Sequence, residues 1–142
     1  MSALVVDASV VAKWFFPEPD TPHAVALLRP GTTLHAPDLL FSEIGNVLWK
    51  RLRRRELDRR RADAIVEELV SAPLMIVPVS SFMPAALRIA NAFGRTFYDS
   101  AYVALAVEQK CRLVTADAKL LNALRNTELS RHIVGVDEEI SG

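Results

Sequence analysis

Four acids in this 142-residue chain, Asp7, Glu43, Asp99 and Asp117, are spaced so that one folded domain can gather them. Asp7 follows the short β-branched run Leu4, Val5, Val6 in "LVVDASVVAKWF", where a strand gives way to a helix that Ser9 can cap. Asp117 stands in the same relation to "LVT" within "TAD". Glu43 lies one turn into a long amphipathic helix, and Asp99 falls in the first turn of the helix "FYDSAYVALAVEQK". Each acid also has an ordinary local use. Asp99 comes three residues after Thr96, as in a capping box. Asp7 and Asp117 suit turns and N-caps, and Glu43 suits an exposed helix face. Convergence would change their meaning, because two carboxylates ~5 Å apart repel by about 3 kcal/mol at an effective dielectric near 20. A divalent cation removes that penalty, and oxygen-only ligation favours Mg²⁺ or Mn²⁺ over zinc. His23, His35 and His132 are scattered, and none sits beside the acids.

Mg²⁺ or Mn²⁺ held by carboxylates suits phosphodiester hydrolysis: the cation acidifies an attacking water, orients a phosphate oxygen and offsets charge on the leaving oxygen. Ser9 and Thr115 each carry a hydroxyl two residues from an acid. Asn46 groups with Glu43 and Lys50 on a helical wheel. These three are candidates to orient a carboxylate, a water or a phosphate at the site, with capping or turn bonding the plainer use of the two hydroxyls.

The elements that must position these groups alternate along the chain. Strands are expected at Leu4 to Val6, Thr33 to Ala36, Leu74 to Val77, Arg112 to Thr115 and Ile133 to Val136. Helices fill the intervals. One starts at Thr21 and Pro22, and one follows Pro37 and Asp38 as "LLFSEIGNVLWKRLRRR". Another runs from Arg59 to Val70 behind Asp58. The next opens at Ser80 or Ser81, with Pro84 in its first turn. The helix after Thr96 is apolar nearly all round and therefore buried, and a last one covers Lys119 to Leu124. This alternation predicts an α/β fold: a three-layer sandwich with a central, mostly parallel five-stranded sheet. Its strand C-terminal edge is where ligands of such sheets bind.

Composition narrows the class. No repeat or linker interrupts the chain, so residues 1–142 read as a single domain. One cysteine, Cys111, suits a reducing compartment, and no leader or spanning segment is evident, so a cytoplasmic protein without a membrane partner is expected. Basic and acidic residues balance at 17 each, yet "KRLRRRELDRRR" from Lys50 to Arg61 concentrates eight cations against Glu56 and Asp58. Lys50, Arg51, Arg53, Arg54 and Arg55 are the residues of that run that could attract a phosphate backbone, and they would otherwise face water or dock a partner. Trp14, Phe15, Phe16 and Trp49 suggest either an apolar groove for a partner helix or simple burial.

Three segments carry a family resemblance: "VVDASVVAKWFFPE", "PDLLFSEIGNVLWK" and "TFYDSAYVALAVEQKCRLVTAD". In this order, with acids at Asp7, Glu43, Asp99 and Asp117, the chain resembles the PIN-domain family, and most closely its VapC toxins of toxin–antitoxin pairs. The resemblance covers Leu4 to about Asp117. It implies a Mg²⁺- or Mn²⁺-dependent endoribonuclease in which those four acids bind metal and catalyse. It also implies homodimers, a VapB-type antitoxin that occludes the acidic pocket, and assemblies of heterotetramer size or larger. Two other readings share parts of the pattern. One is a receiver-like signalling domain with a phosphoacceptor aspartate, and the other is an RNA-binding PIN domain without catalysis. The first lacks the acidic pair expected at the end of the first strand.

Overall fold

A computed structural model describes residues 2–138 and residue 140. The chain runs β1 (Ser2–Val6), α1 (Ala8–Phe15), α2 (Thr21–Ala26), β2 (Thr32–Pro37), α3 (Leu39–Arg53), α4 (Arg59–Val70), β3 (Leu74–Val77), α5 (Met83–Phe93), α6 (Phe97–Glu108), β4 (Arg112–Thr115), α7 (Ala118–Leu124) and β5 (Ile133–Gly135). The five strands form one sheet in the order β3-β2-β1-β4-β5, and every pair is parallel.

Alternation along the strands divides the core into two layers. Leu4 and Val6 of β1, Leu34 and Ala36 of β2 and Val114 of β4 face α1 to α4, against Val10, Ile44 and Ile65. Val5 and Leu113 point the other way, against Leu105 of α6 and Leu120 of α7. Both faces are therefore covered, as a parallel sheet requires. Helix α6 is buried from Ser100 to Ala106, in agreement with its all-round apolar sequence.

The strand order reverses between β1 and β4. From β1 the chain moves outward through β2 to β3, then crosses the opposite face to β4 and β5. A crevice beyond the carboxyl ends of adjacent strands opens at such a reversal. The order also departs from the 2-1-3-4-5 arrangement of flavodoxin-like receivers: here the third strand lies on the edge, so the receiver-like reading has no counterpart in the topology.

Local differences from expectation are small. Asp7, not Ser9, caps α1, its side chain accepting from Val10 N. Ser80 and Ser81 belong to a short 3₁₀ turn, Val79–Ser81, and α5 begins after Phe82 with Pro84 in its first turn as expected. Ser81 Oγ instead donates to Pro78 O at 2.7 Å. No described helix is long and apolar enough to cross a membrane.

Candidate metal and phosphodiester site

The reversal point carries a web of hydroxyl bonds centred on Asp7. This carboxylate is 6% exposed. Its Oδ1 accepts from Ser9 Oγ at 2.5 Å and from Val10 N at 3.2 Å, and its Oδ2 accepts from Thr115 Oγ1 at 2.5 Å. Both hydroxyls also accept from the chain leaving β4: Ser9 Oγ from Ala116 N and Thr115 Oγ1 from Asp117 N, each at 3.0 Å. Two side chains thus fasten the end of β1 to the loop after β4 and orient Asp7 between them. For Ser9 this replaces the expected capping role.

Asp117 sits two residues past β4, where its Oδ1 accepts from Lys119 N and Leu120 N to cap α7. A cleft of about 400 Å³ opens beside it, lined in part by Thr115, Asp20, Arg125 and Glu138. Asp99 lies in the first turn of α6, whose cap, Thr96 Oγ1, accepts from Asp99 N at 3.0 Å. Glu43 lies on α3 and accepts from Tyr102 Oη at 2.7 Å. A larger cleft of about 590 Å³ lies at the opposite ends of the strands, among Lys110, Cys111, Arg112, Arg131 and His132. No acid lines it, so size does not mark the chemistry here.

The acids influence one another in series. Burial pushes the Asp7 carboxyl up to about 6, against the lowering hydrogen bonds from Ser9, Thr115 and Val10, and the Glu43 charge adds to the rise. Glu43 is raised by burial and by Asp99, with the Tyr102 bond opposing. Asp99 is raised by burial and by Asp117, with Arg95 and Thr96 opposing. Each of these three carboxyls thus feels the charge of one other acid of the set, Asp7 that of Glu43, Glu43 that of Asp99 and Asp99 that of Asp117. Among the described residues, however, no three His, Cys, Asp or Glu side chains are gathered closely enough to hold a metal ion together. The donor set itself fits a hard cation, since every candidate is a carboxylate oxygen and each raised pKa marks a site that positive charge would relieve.

Asn46 is exposed on α3, one turn beyond Glu43, and among the described residues no hydrogen bond holds its side chain. The basic run lies farther off. From Glu43 the helix advances roughly 10 Å to Lys50 and roughly 15 Å to Arg53, with Arg51 between them and Arg54 and Arg55 just beyond. Arg51 stacks 3.9 Å above the Phe16 ring and Arg53 lies 4.9 Å from the Trp49 centroid. Of the four large aromatics, Phe16 is buried and Trp14 is tied by its Nε1 to Ala24 O at 2.9 Å. Only Trp49 is half exposed, so they form no shared groove.

Two residues near the acids escape a sequence reading. Arg95 supplies positive charge beside Asp99. Tyr102 shares a helix face with Asp99 three residues earlier, a spacing that was visible but reads as packing in an apolar helix.

Comparison with known proteins identifies the family. The PIN domain family model matches residues 4–125. The chain belongs to the PIN-domain family. This PIN domain is 36% identical over 119 residues to ribonuclease VapC3 of Pyrobaculum aerophilum, covering 82% of this chain and 91% of that relative. Among solved structures it is similar to PAE2754 from Pyrobaculum aerophilum, with a TM-score of 0.66, 26% identity, and coverage of 96% of this chain and 85% of the other. It also shares the fold of a toxin–antitoxin complex from Klebsiella pneumoniae, with a TM-score of 0.62, 12% identity, and coverage of 96% and 99%.

Proposed function

We propose that this PIN domain is a Mg²⁺- or Mn²⁺-dependent endoribonuclease of the VapC type, the toxin of a toxin–antitoxin pair. One observation carries the reading: Asp7, Glu43 and Asp99 are each raised by burial and then by the charge of another acid of the set, Glu43, Asp99 and Asp117 in turn, with Asp7 and Asp117 at the ends of the two strands where the sheet order reverses. The 36% identity to a relative named as a ribonuclease supports RNA as the substrate class. Asp7, Glu43, Asp99 and Asp117 would hold the cation. A bound Mg²⁺ or Mn²⁺ supplies an acidified water and neutralises charge on the scissile phosphate. Ser9 and Thr115 keep Asp7 ionised and fixed through their hydrogen bonds, Asn46 is available to a phosphate or water beside Glu43, and Arg95 limits the negative charge an approaching RNA meets. Hydrolysis would leave a 5′-phosphate and a 3′-hydroxyl.

The basic run from Lys50 to Arg55 would hold the RNA backbone on the side of α3 beyond Glu43, with Arg53 roughly 15 Å along the helix from that acid. A VapB-type antitoxin and a second copy of the chain are the expected protein partners, in line with the assembly named for the Klebsiella pneumoniae fold relative. Met83 with Leu87 on α5 and Val66 with Val70 on α4 are exposed apolar pairs one turn apart that such partners would cover. The test is cleavage of single-stranded RNA by the purified chain with Mn²⁺ and with EDTA. Metal-dependent fragments ending in 5′-phosphate support the reading. Binding without cleavage would leave the non-catalytic RNA-binding alternative.

A further inference from the structure

We infer that Tyr102 is a positioning residue of the acid site, its hydroxyl selecting the Glu43 conformer that a divalent cation requires. The inference rests on the nuclease reading and concerns a residue which that reading leaves without a role. Tyr102 is 3% exposed, and its Oη donates to Glu43 Oε1 at 2.7 Å. It lies three residues after Asp99 on α6, so the two side chains share a face. A phenol O–H facing a carboxylate oxygen can only donate, so the bond runs from Tyr102 to Glu43. One oxygen therefore links α6, which carries Asp99, to α3, which carries Glu43, beside the end of β1, which carries Asp7.

Two of the other acids are already held by hydrogen bonds of their own. Asp7 is fixed by two hydroxyls and a backbone N–H, and Asp117 by two backbone N–H groups at its cap. Glu43 sits within a helix with no cap to hold it, and among the described residues its side-chain hydrogen bond comes from Tyr102. A glutamate has several rotamers to lose on binding a cation, and a bond that selects one beforehand lowers that cost. Donation to Oε1 leaves Oε2 and a second lone pair of Oε1 for the cation.

Tyr102→Phe keeps the ring and deletes the donor. Calorimetric titration of the full chain with Mn²⁺ should show a Kd weakened roughly 10- to 100-fold, the usual effect of removing a partner that orients a ligand. Unfolding in EDTA checks that the variant remains folded. Glu43→Gln alone and combined with Tyr102→Phe completes a cycle in which the two losses overlap rather than multiply. Mn²⁺ binding by Tyr102→Phe within twofold of wild type, or losses that multiply fully, would overturn the inference while the nuclease reading stands. A wild-type chain that neither binds Mn²⁺ nor cleaves RNA would overturn both.

Discussion

Thr115 Oγ1 donates to Asp7 Oδ2 at 2.5 Å, joining residues 108 positions apart, and the same oxygen accepts from Asp117 N. One hydroxyl thus sets the orientation of one acid and the backbone leading to another. Thr115→Val keeps shape and burial but removes both bonds, leaving two buried polar groups short of a partner. Urea unfolding should show a loss of roughly 1–3 kcal/mol, and Thr115→Ser should recover most of it. A Val variant as stable as wild type would mean that the bond does not hold the two strand ends together.

Asp7 predicts how the metal-free protein responds to pH. Its carboxyl titrates at about 6 in the folded chain against an ordinary 3.8. Between those values the folded state keeps a proton that the unfolded state releases, so stability declines as pH rises from about 4 to 6 and is level above. At about 1.4 kcal/mol per pH unit the full cost is on the order of 3 kcal/mol. Glu43 and Asp99, also raised, act in the same direction. In EDTA, Asp7→Asn should therefore be more stable than wild type at pH 7.5, by about 1–3 kcal/mol, with the gain vanishing near pH 4. A destabilised Asn variant at pH 7.5 would contradict this.

The basic run predicts a separation of binding from chemistry. Replacing Arg53, Arg54 and Arg55 by Ala should weaken RNA binding and reduce the slope of log K against log salt by up to about 2, at ~0.7 per phosphate contact on a single strand. Mn²⁺ affinity should not change, because these residues lie roughly 15 Å along α3 from Glu43. An unchanged salt slope would assign the run to solvent or to a protein partner.

Much of this architecture is legible along the chain. The strands at Leu4 to Val6 and Arg112 to Thr115 are short apolar runs ending in acids, and the structure extends or trims the five expected strands only at their ends. What the sequence conceals is contact between distant segments. Ser9 reads locally as a cap, yet its hydroxyl bridges Asp7 to Ala116, and capping falls to Asp7 itself. Tyr102 reads as core, although a buried phenol needs a partner, and that partner lies 59 residues away. The aromatic groove dissolves for a similar reason: Trp14 and Phe16 find partners in Ala24 and Arg51 that their own neighbours do not reveal.

The central claim is that Asp7, Glu43, Asp99 and Asp117 act as one cation site. Its most direct test is thermal unfolding of the purified chain, free of any antitoxin, during titration with Mn²⁺, for wild type and Asp99→Asn. A cation bound only by the folded state raises the melting temperature as its concentration passes the Kd. The account predicts a saturable rise for wild type that is lost or strongly reduced in Asp99→Asn. Equal shifts in both proteins, or none in wild type, would contradict it and leave the four acids as separate caps and surface groups.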